Sequence, residues 1–183
     1  NKTILIVGAS SGIGKSLAES LVKTGANIIT ASRNNPNIEG VTHHQLDVTE
    51  AEPNMDFLPD ELDGLVYCPG TINLKPFQRL KMTDFQNDLD INLMGAIKVL
   101  QASFKSLKKA KGSSVVLFST VASKLGMNFH SSIATAKAAV EGLGKSLAAE
   151  WSRNNIRVNL VAPSLTDTTM AKNLLSTEDK RKT

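Results

Sequence analysis

Ile4-Leu5-Ile6-Val7-Gly8-Ala9-Ser10-Ser11-Gly12-Ile13-Gly14 decides the fold. Four successive apolar residues predict a strand covered on both faces. A glycine turn follows at once, and then Leu17, Ala18, Leu21 and Val22 fall on one face of an amphipathic helix. Strand, glycine loop and helix in that order are the context in which such glycine spacing carries meaning. Gly8 permits the tight turn, Gly12 lets backbone approach a pyrophosphate, and Gly14 lets the helix pack closely on the strand. Free N–H groups and the positive end of the helix dipole then face the anion. The stretch reads as a dinucleotide-binding loop, with Ser10, Ser11 and Ile13 in the same turn.

Working outward, strands and helices alternate. Further strands are predicted over Asn27–Ala31, Val41–Leu46, Gly64–Tyr67, Val115–Phe118 and Ile156–Val161. Long helices are expected from about Ile91 to Lys109 and from Ser132 to Arg153, with a short one after Thr83 as its cap. The alternation specifies an α/β fold, a Rossmann-type doubly wound parallel sheet of three α/β/α layers. No repeat, low-complexity tract or linker divides it, so residues 1–183 are expected to form a single dinucleotide-binding domain.

The chain has 183 residues, of which 41% are hydrophobic and 21% charged, ordinary for a globular protein with its own core. The net charge of +4 is too mild and dispersed to argue for nucleic acid. Lys105, Lys108, Lys109 and Lys111 cluster at a predicted helix end, where they complement its dipole. The single cysteine, Cys68, excludes an intrachain disulfide. No apolar run is long enough to span a bilayer and no signal peptide precedes the first strand, so a cytoplasmic location is expected. Neither a membrane partner nor a metal site is expected.

Several motifs together resemble the short-chain dehydrogenase/reductase family over essentially the whole chain. Gly8, Gly12 and Gly14 match its cofactor loop, with the Gly-Ile-Gly ending. Asp47-Val48 resembles the pair that contacts adenine. Asn92, in Ile91-Asn92-Leu93-Met94-Gly95, matches the helix asparagine of the proton relay, and Lys137 the catalytic lysine. Pro163-Ser164-Leu165-Thr166-Asp167-Thr168 resembles the segment beside the nicotinamide, with Ser164 in place of glycine. Gly70 is the surviving glycine of the fourth-strand motif, which reads Tyr67-Cys68-Pro69-Gly70. Within the family, the chain looks most like the 3-oxoacyl-acyl carrier protein reductases. Members usually continue through a substrate-covering segment and a seventh strand. This chain is expected to lack both and to be part of a longer protein.

The family's Tyr-x-x-x-Lys motif is altered. Ile133 stands where the resemblance places the tyrosine, and Tyr67 is the only tyrosine in the chain. The family's serine, thirteen residues earlier, falls on Thr120, with Ser119 adjacent. In the family's reduction, a hydride reaches a carbonyl carbon while tyrosine protonates the oxygen. Isoleucine can neither donate nor accept, and general acid–base groups contribute about 10²–10⁴-fold. Proton transfer is therefore expected to be impaired or altered, while the hydride chemistry belongs to the cofactor.

Each candidate also has a plainer reading. Lys137 is either a surface lysine or a cofactor-ribose contact. Asn92 either caps a helix or serves as a relay or helix-bending residue. Thr120 and Ser119 follow a strand end, where open α/β sheets place ligands. Tyr67 reads as a packed aromatic, and His43 and His44 as surface or satisfied core groups. His130 is a candidate replacement acid.

Ser32 stands at the end of the second strand, where a carboxylate would select NAD(H), and Arg33 follows it. An arginine makes charge-assisted contacts with phosphate, so NADP(H) is expected over NAD(H). The expected partner is a small carbonyl or alcohol substrate. Two functions follow: an NADP(H)-dependent oxidoreductase with altered proton transfer, or a catalytically inactive NADP(H)-binding or scaffold protein. Small residues Ala134, Ala138, Ala139, Gly142 and Ala149 along the last long helix predict a homodimer or homotetramer.

Overall fold

The computed structural model describes residues 1–172. Six strands, β1 (Thr3–Val7), β2 (Asn27–Ser32), β3 (Val41–Gln45), β4 (Gly64–Tyr67), β5 (Ser114–Phe118) and β6 (Arg157–Val161), form one sheet. Their order is β3-β2-β1-β4-β5-β6, and every neighbouring pair is parallel. Strand order therefore reverses between β1 and β4, where Val7 pairs with Ala31 on one side and Tyr67 on the other.

Five α-helices cover the sheet: α1 (Gly12–Val22), α2 (Met82–Leu89), α3 (Gly95–Lys109), α4 (Ala122–Leu125) and α5 (Ser131–Trp151). The alternation of side chains along each strand divides the core in two. Leu5, Val7, Leu65, Tyr67, Val115 and Leu117 pack with Val99, Leu100 and Leu107 of α3 and Val140 and Trp151 of α5. Ile6, Ile28 and Val66 face the other way, against Leu17, Ala18 and Leu21 of α1. Both faces are buried, as the unbroken apolar runs of β1 and β5 required.

The expected separation between a short helix and a long one is not observed. α2 passes into α3 through a π turn over Asp90–Met94, so the helical run is continuous. Asn92 lies in that turn, and its Nδ2 donates to the Asp88 carbonyl at 2.8 Å. A side-chain amide on a backbone carbonyl is a recognised cause of such a break in the ladder. Tyr67 Oη donates to the Ile91 carbonyl, which ties the turn to β4 and gives the packed aromatic its polar partner. Gly95 lets the helix approach this closely, because a Cβ there would overlap Tyr67 Oη. Thr83 does not cap α2: the N-cap is Lys81, whose N–H donates to Asp84 Oδ2 at 2.9 Å. The expected covering segment would begin beyond Lys172, outside the described residues.

Candidate functional site

A cleft of about 390 Å³ opens at the C-terminal edge of the sheet, over the point where strand order reverses. Its floor is the glycine loop. Gly8 has φ +80° and meets Pro69 so closely that a Cβ would lie 2.8 Å from the ring, so two strand ends are brought together by an absent side chain. A Cβ at Gly14 would run into the Gly8 carbonyl, which is why α1 can start directly against the turn. The first N–H groups of a helix lack intrahelical partners. The first turn of α1 carries no acidic side chain, and Ser11 makes no side-chain cap. That end is open to an anion.

The remaining walls come from the other strand ends. Ser32 and Arg33 follow β2, Asp47 to Thr49 follow β3, and Cys68 to Thr71 follow β4. Phe118 and Ser119 end β5, Lys137 comes from α5, and Pro163, Thr168 and Met170 follow β6. Gly8, Ser10, Ser11, Gly12, Ile13, Gly14, Arg33, Asp47, Val48, Gly70, Lys137, Pro163 and Thr168 thus all line one cleft. Asp47 accepts from the hydroxyl and N–H of Thr49, which hold its carboxyl below the usual range, with Arg33 adding to the effect.

Lys137 Nζ donates to the Phe118 carbonyl at 2.9 Å. Burial pushes its ammonium down to about 8, against the opposing pull of Cys68 and Asp88. Asn92 is 1% exposed, and its Oδ1 has no partner. A Cβ built on Gly70 would lie 3.2 Å from that Oδ1 and 3.6 Å from Lys137 Nζ, so the amide oxygen and the ammonium converge over one glycine. The open helix end beside the glycine loop fits a phosphate-bearing ligand.

Asn92, buried beneath Gly70, is not among the lining residues, and three further candidates stand apart. Thr120 does not line the cleft, and its Oγ1 accepts from the Ala122 N–H at 3.3 Å. Ser119 is the residue of that strand end at the cleft wall. Ile133 is 5% exposed on α5 and is not among the lining residues. His130 is half-buried outside the cleft, with Nδ1 bonded to the Asn128 carbonyl at 2.7 Å.

Sequence reading missed two buried carboxylates. Asp88 accepts from Thr71 and Ser132. Glu141 Oε1 accepts from Ser119 at 2.7 Å and Ser123 at 2.6 Å, while Lys124 and Lys145 approach Oε2. Each lies four residues from a candidate, Asp88 before Asn92 and Glu141 after Lys137, and helical spacing was the available signal.

A short chain dehydrogenase family model matches residues 2–179. A tropinone reductase homolog of Arabidopsis thaliana is 31% identical, over 98% of this chain and 73% of its own length. A 3-oxoacyl-acyl-carrier-protein reductase of Aquifex aeolicus is also 31% identical, over 99% and 80%. Among solved structures, ligand-free aldohexose dehydrogenase of Thermoplasma acidophilum superposes with a TM-score of 0.90 at 26% identity, covering 98% of this chain and 72% of that one. A short chain dehydrogenase of Shigella flexneri, complexed with NADP, gives 0.88 at 25% identity, covering 100% and 84%.

The Glu141 cluster has a measurable consequence. Hydrogen bonds from Ser123 and Ser119, then the charge of Lys124, hold its carboxyl at about 2. An unfolded glutamate titrates near 4.3. A folded value below the unfolded one contributes stability that is full above about 4.3 and lost as pH falls toward 2. Glu141→Gln is expected to lower the melting temperature at neutral pH and to flatten its decline between about pH 4.5 and 2. An unchanged slope in thermal denaturation across that range would contradict the assignment.

The glycine loop, the cleft at the strand reversal and the match over nearly the whole length lead to one conclusion: the chain belongs to the short chain dehydrogenase family of oxidoreductases.

Proposed function

We propose that this chain is an NADP(H)-dependent oxidoreductase acting on a carbonyl or alcohol substrate, with proton transfer altered by Ile133 at the family's tyrosine position. The observation that carries the reading is that the glycine loop, Gly70 and Lys137 line one cleft, with the buried Asn92 Oδ1 close beneath Gly70. The loop and the α1 N-terminus would hold the pyrophosphate, Asp47 and Val48 the adenine, and Lys137 the nicotinamide-side ribose. The bound cofactor would supply the hydride. The residues around it hold the ligand oxygen and govern its proton.

Ile133 and the altered Tyr67-Cys68-Pro69-Gly70 segment favour a second reading, an inactive NADP(H)-binding or scaffold protein. NADPH oxidation against a panel of ketones and 3-oxo thioesters separates the two. Turnover that disappears in Lys137→Ala supports the enzyme; tight NADPH binding with no turnover supports the alternative.

Selectivity for NADP(H) rests on Arg33, exposed at the cleft edge, and on Ser32, which offers no carboxylate against a 2′-phosphate. The Shigella flexneri relative was solved with NADP. A hydrogen bond to a charged group contributes about 1.5–3 kcal/mol. Arg33→Ala is therefore expected to weaken NADPH by about 10- to 100-fold and NADH little. Equal losses for the two cofactors in titration calorimetry would overturn the preference.

Self-association through α5 belongs to the same proposal. Ala138, Gly142 and Ala149 are exposed along it, and nothing lies within 4 Å of a Cβ built on Gly142. Light scattering is expected to give a dimer or tetramer mass; a monomer throughout the micromolar range would contradict it.

A further inference from the structure

β3 is an edge strand of the sheet, paired with β2 alone. Its exit loop nevertheless forms a wall of the cleft, which Asp47, Val48 and Thr49 line. The Leu46 N–H donates to the Ser32 carbonyl at 3.2 Å, which ties the start of the loop to the end of β2. Within the loop, Asp47 Oδ1 accepts from the N–H of Thr49 at 2.9 Å and from its hydroxyl at 2.7 Å. Those two bonds shape the turn but do not anchor it to the rest of the molecule. A surface loop leaving a sheet edge needs an outside partner to hold one position.

That partner is α3, which follows β4 and so stands across β2 and β1 in strand order. Lys98 Nζ donates to the Val48 carbonyl at 3.4 Å and, more closely, to the Glu50 carbonyl. Among the described residues no backbone N–H reaches either carbonyl. Gly95, one turn earlier on α3, provides a second point of contact: a Cβ there would lie 2.9 Å from Val48 Cβ. Residues three apart share a helix face. The same face of α3 therefore admits the Val48 side chain and grips its carbonyl, and Val48 is buried as a result. Lys98 itself is half-buried and is not among the residues lining the cleft. Its charge makes these bonds stronger than those of a neutral donor.

We propose that Lys98 is a positioning residue of the cleft: it clamps the loop after β3 against α3 and so holds Asp47, Val48 and Thr49 in the wall. Without its ammonium, the Val48 and Glu50 carbonyls turn to water and the wall shifts relative to the glycine loop. The consequence for ligand binding rests on the dinucleotide reading above. There the clamp fixes the adenosine end of the cofactor, which NADPH and NADH share, while Arg33 acts on the 2′-phosphate alone.

The test compares Lys98→Met, which keeps the apolar stem, with Lys98→Arg, which keeps a charged donor. Amide hydrogen exchange of the full chain without nucleotide, read by mass spectrometry, is expected to run about tenfold faster over residues 46–51 in Lys98→Met, and to return most of the way in Lys98→Arg. Titration calorimetry is expected to show NADPH and NADH weakened equally, by about tenfold, in Lys98→Met and largely recovered in Lys98→Arg. A folded Lys98→Met with wild-type exchange over that loop would overturn the clamp. Lys98→Gln takes its place if the methionine variant does not fold, and failure of both to fold would overturn the proposal, since the role would then be one in folding. Faster exchange with unchanged affinities would overturn the positioning role. So would a loss confined to NADPH, which would make Lys98 a phosphate contact. A wild type that binds neither cofactor would defeat the dinucleotide reading, and the exchange comparison would still decide the clamp.

Discussion

β1 pairs in parallel with β2 on one side and β4 on the other, so the connections from these strands leave in opposite directions and a crevice opens where they part. The backbone can line that crevice only because Gly8 takes a positive φ beside Pro69 and Gly14 stands against the Gly8 carbonyl. The free end of α1, the ends of β2 and β3 and the Lys137 side chain are all placed relative to this contact. A methyl group at Gly14 would push α1 off the strand and close the crevice from below.

Two carboxylates taken out of water organise the other half of the cleft. Asp88 gathers hydroxyls from the β4 loop and α5, and Glu141 gathers hydroxyls from the β5 end and α4. Glu141 is also approached by Lys124 of α4 and Lys145 of α5. Buried polar clusters of this kind are stabilising only when every member is satisfied, and they then hold a single arrangement. Here the exception is Asn92 Oδ1, which is buried and without a partner close to Gly70.

The central strands β1, β4 and β5 were legible because each is a short, mainly apolar run. Strand bounds differ from expectation by a residue at an end, as with Ser32 added to β2 and Leu46 left outside β3. The cofactor loop was legible because glycine spacing has a backbone cause. Local pattern could not show that Met82 to Lys109 is one helical run, since the π turn depends on Tyr67 and Asn92 meeting partners outside the helix periodicity. Asp88 and Glu141 look like surface residues in sequence. Only the packing of α2 and α4 on α5 buries them. Thr120 was marked by its position relative to residue 133; Ser119 beside it lies at the cleft wall, with its hydroxyl donating to Glu141.

The proposed oxidoreductase function turns on residue 133, where isoleucine stands at the family's tyrosine position. Residue 133 and Lys137 lie four apart on α5, on one helix face, so a phenol at 133 would stand near the lysine's charge. The direct measurement is NADPH-dependent reduction of the ketone and 3-oxo thioester panel by Ile133→Tyr beside wild type, at saturating cofactor. The account predicts a gain of roughly 10²-fold or more, abolished by Lys137→Ala in the same background. A folded, NADPH-bound Ile133→Tyr that shows no gain would contradict it and make the binding-protein reading the better one.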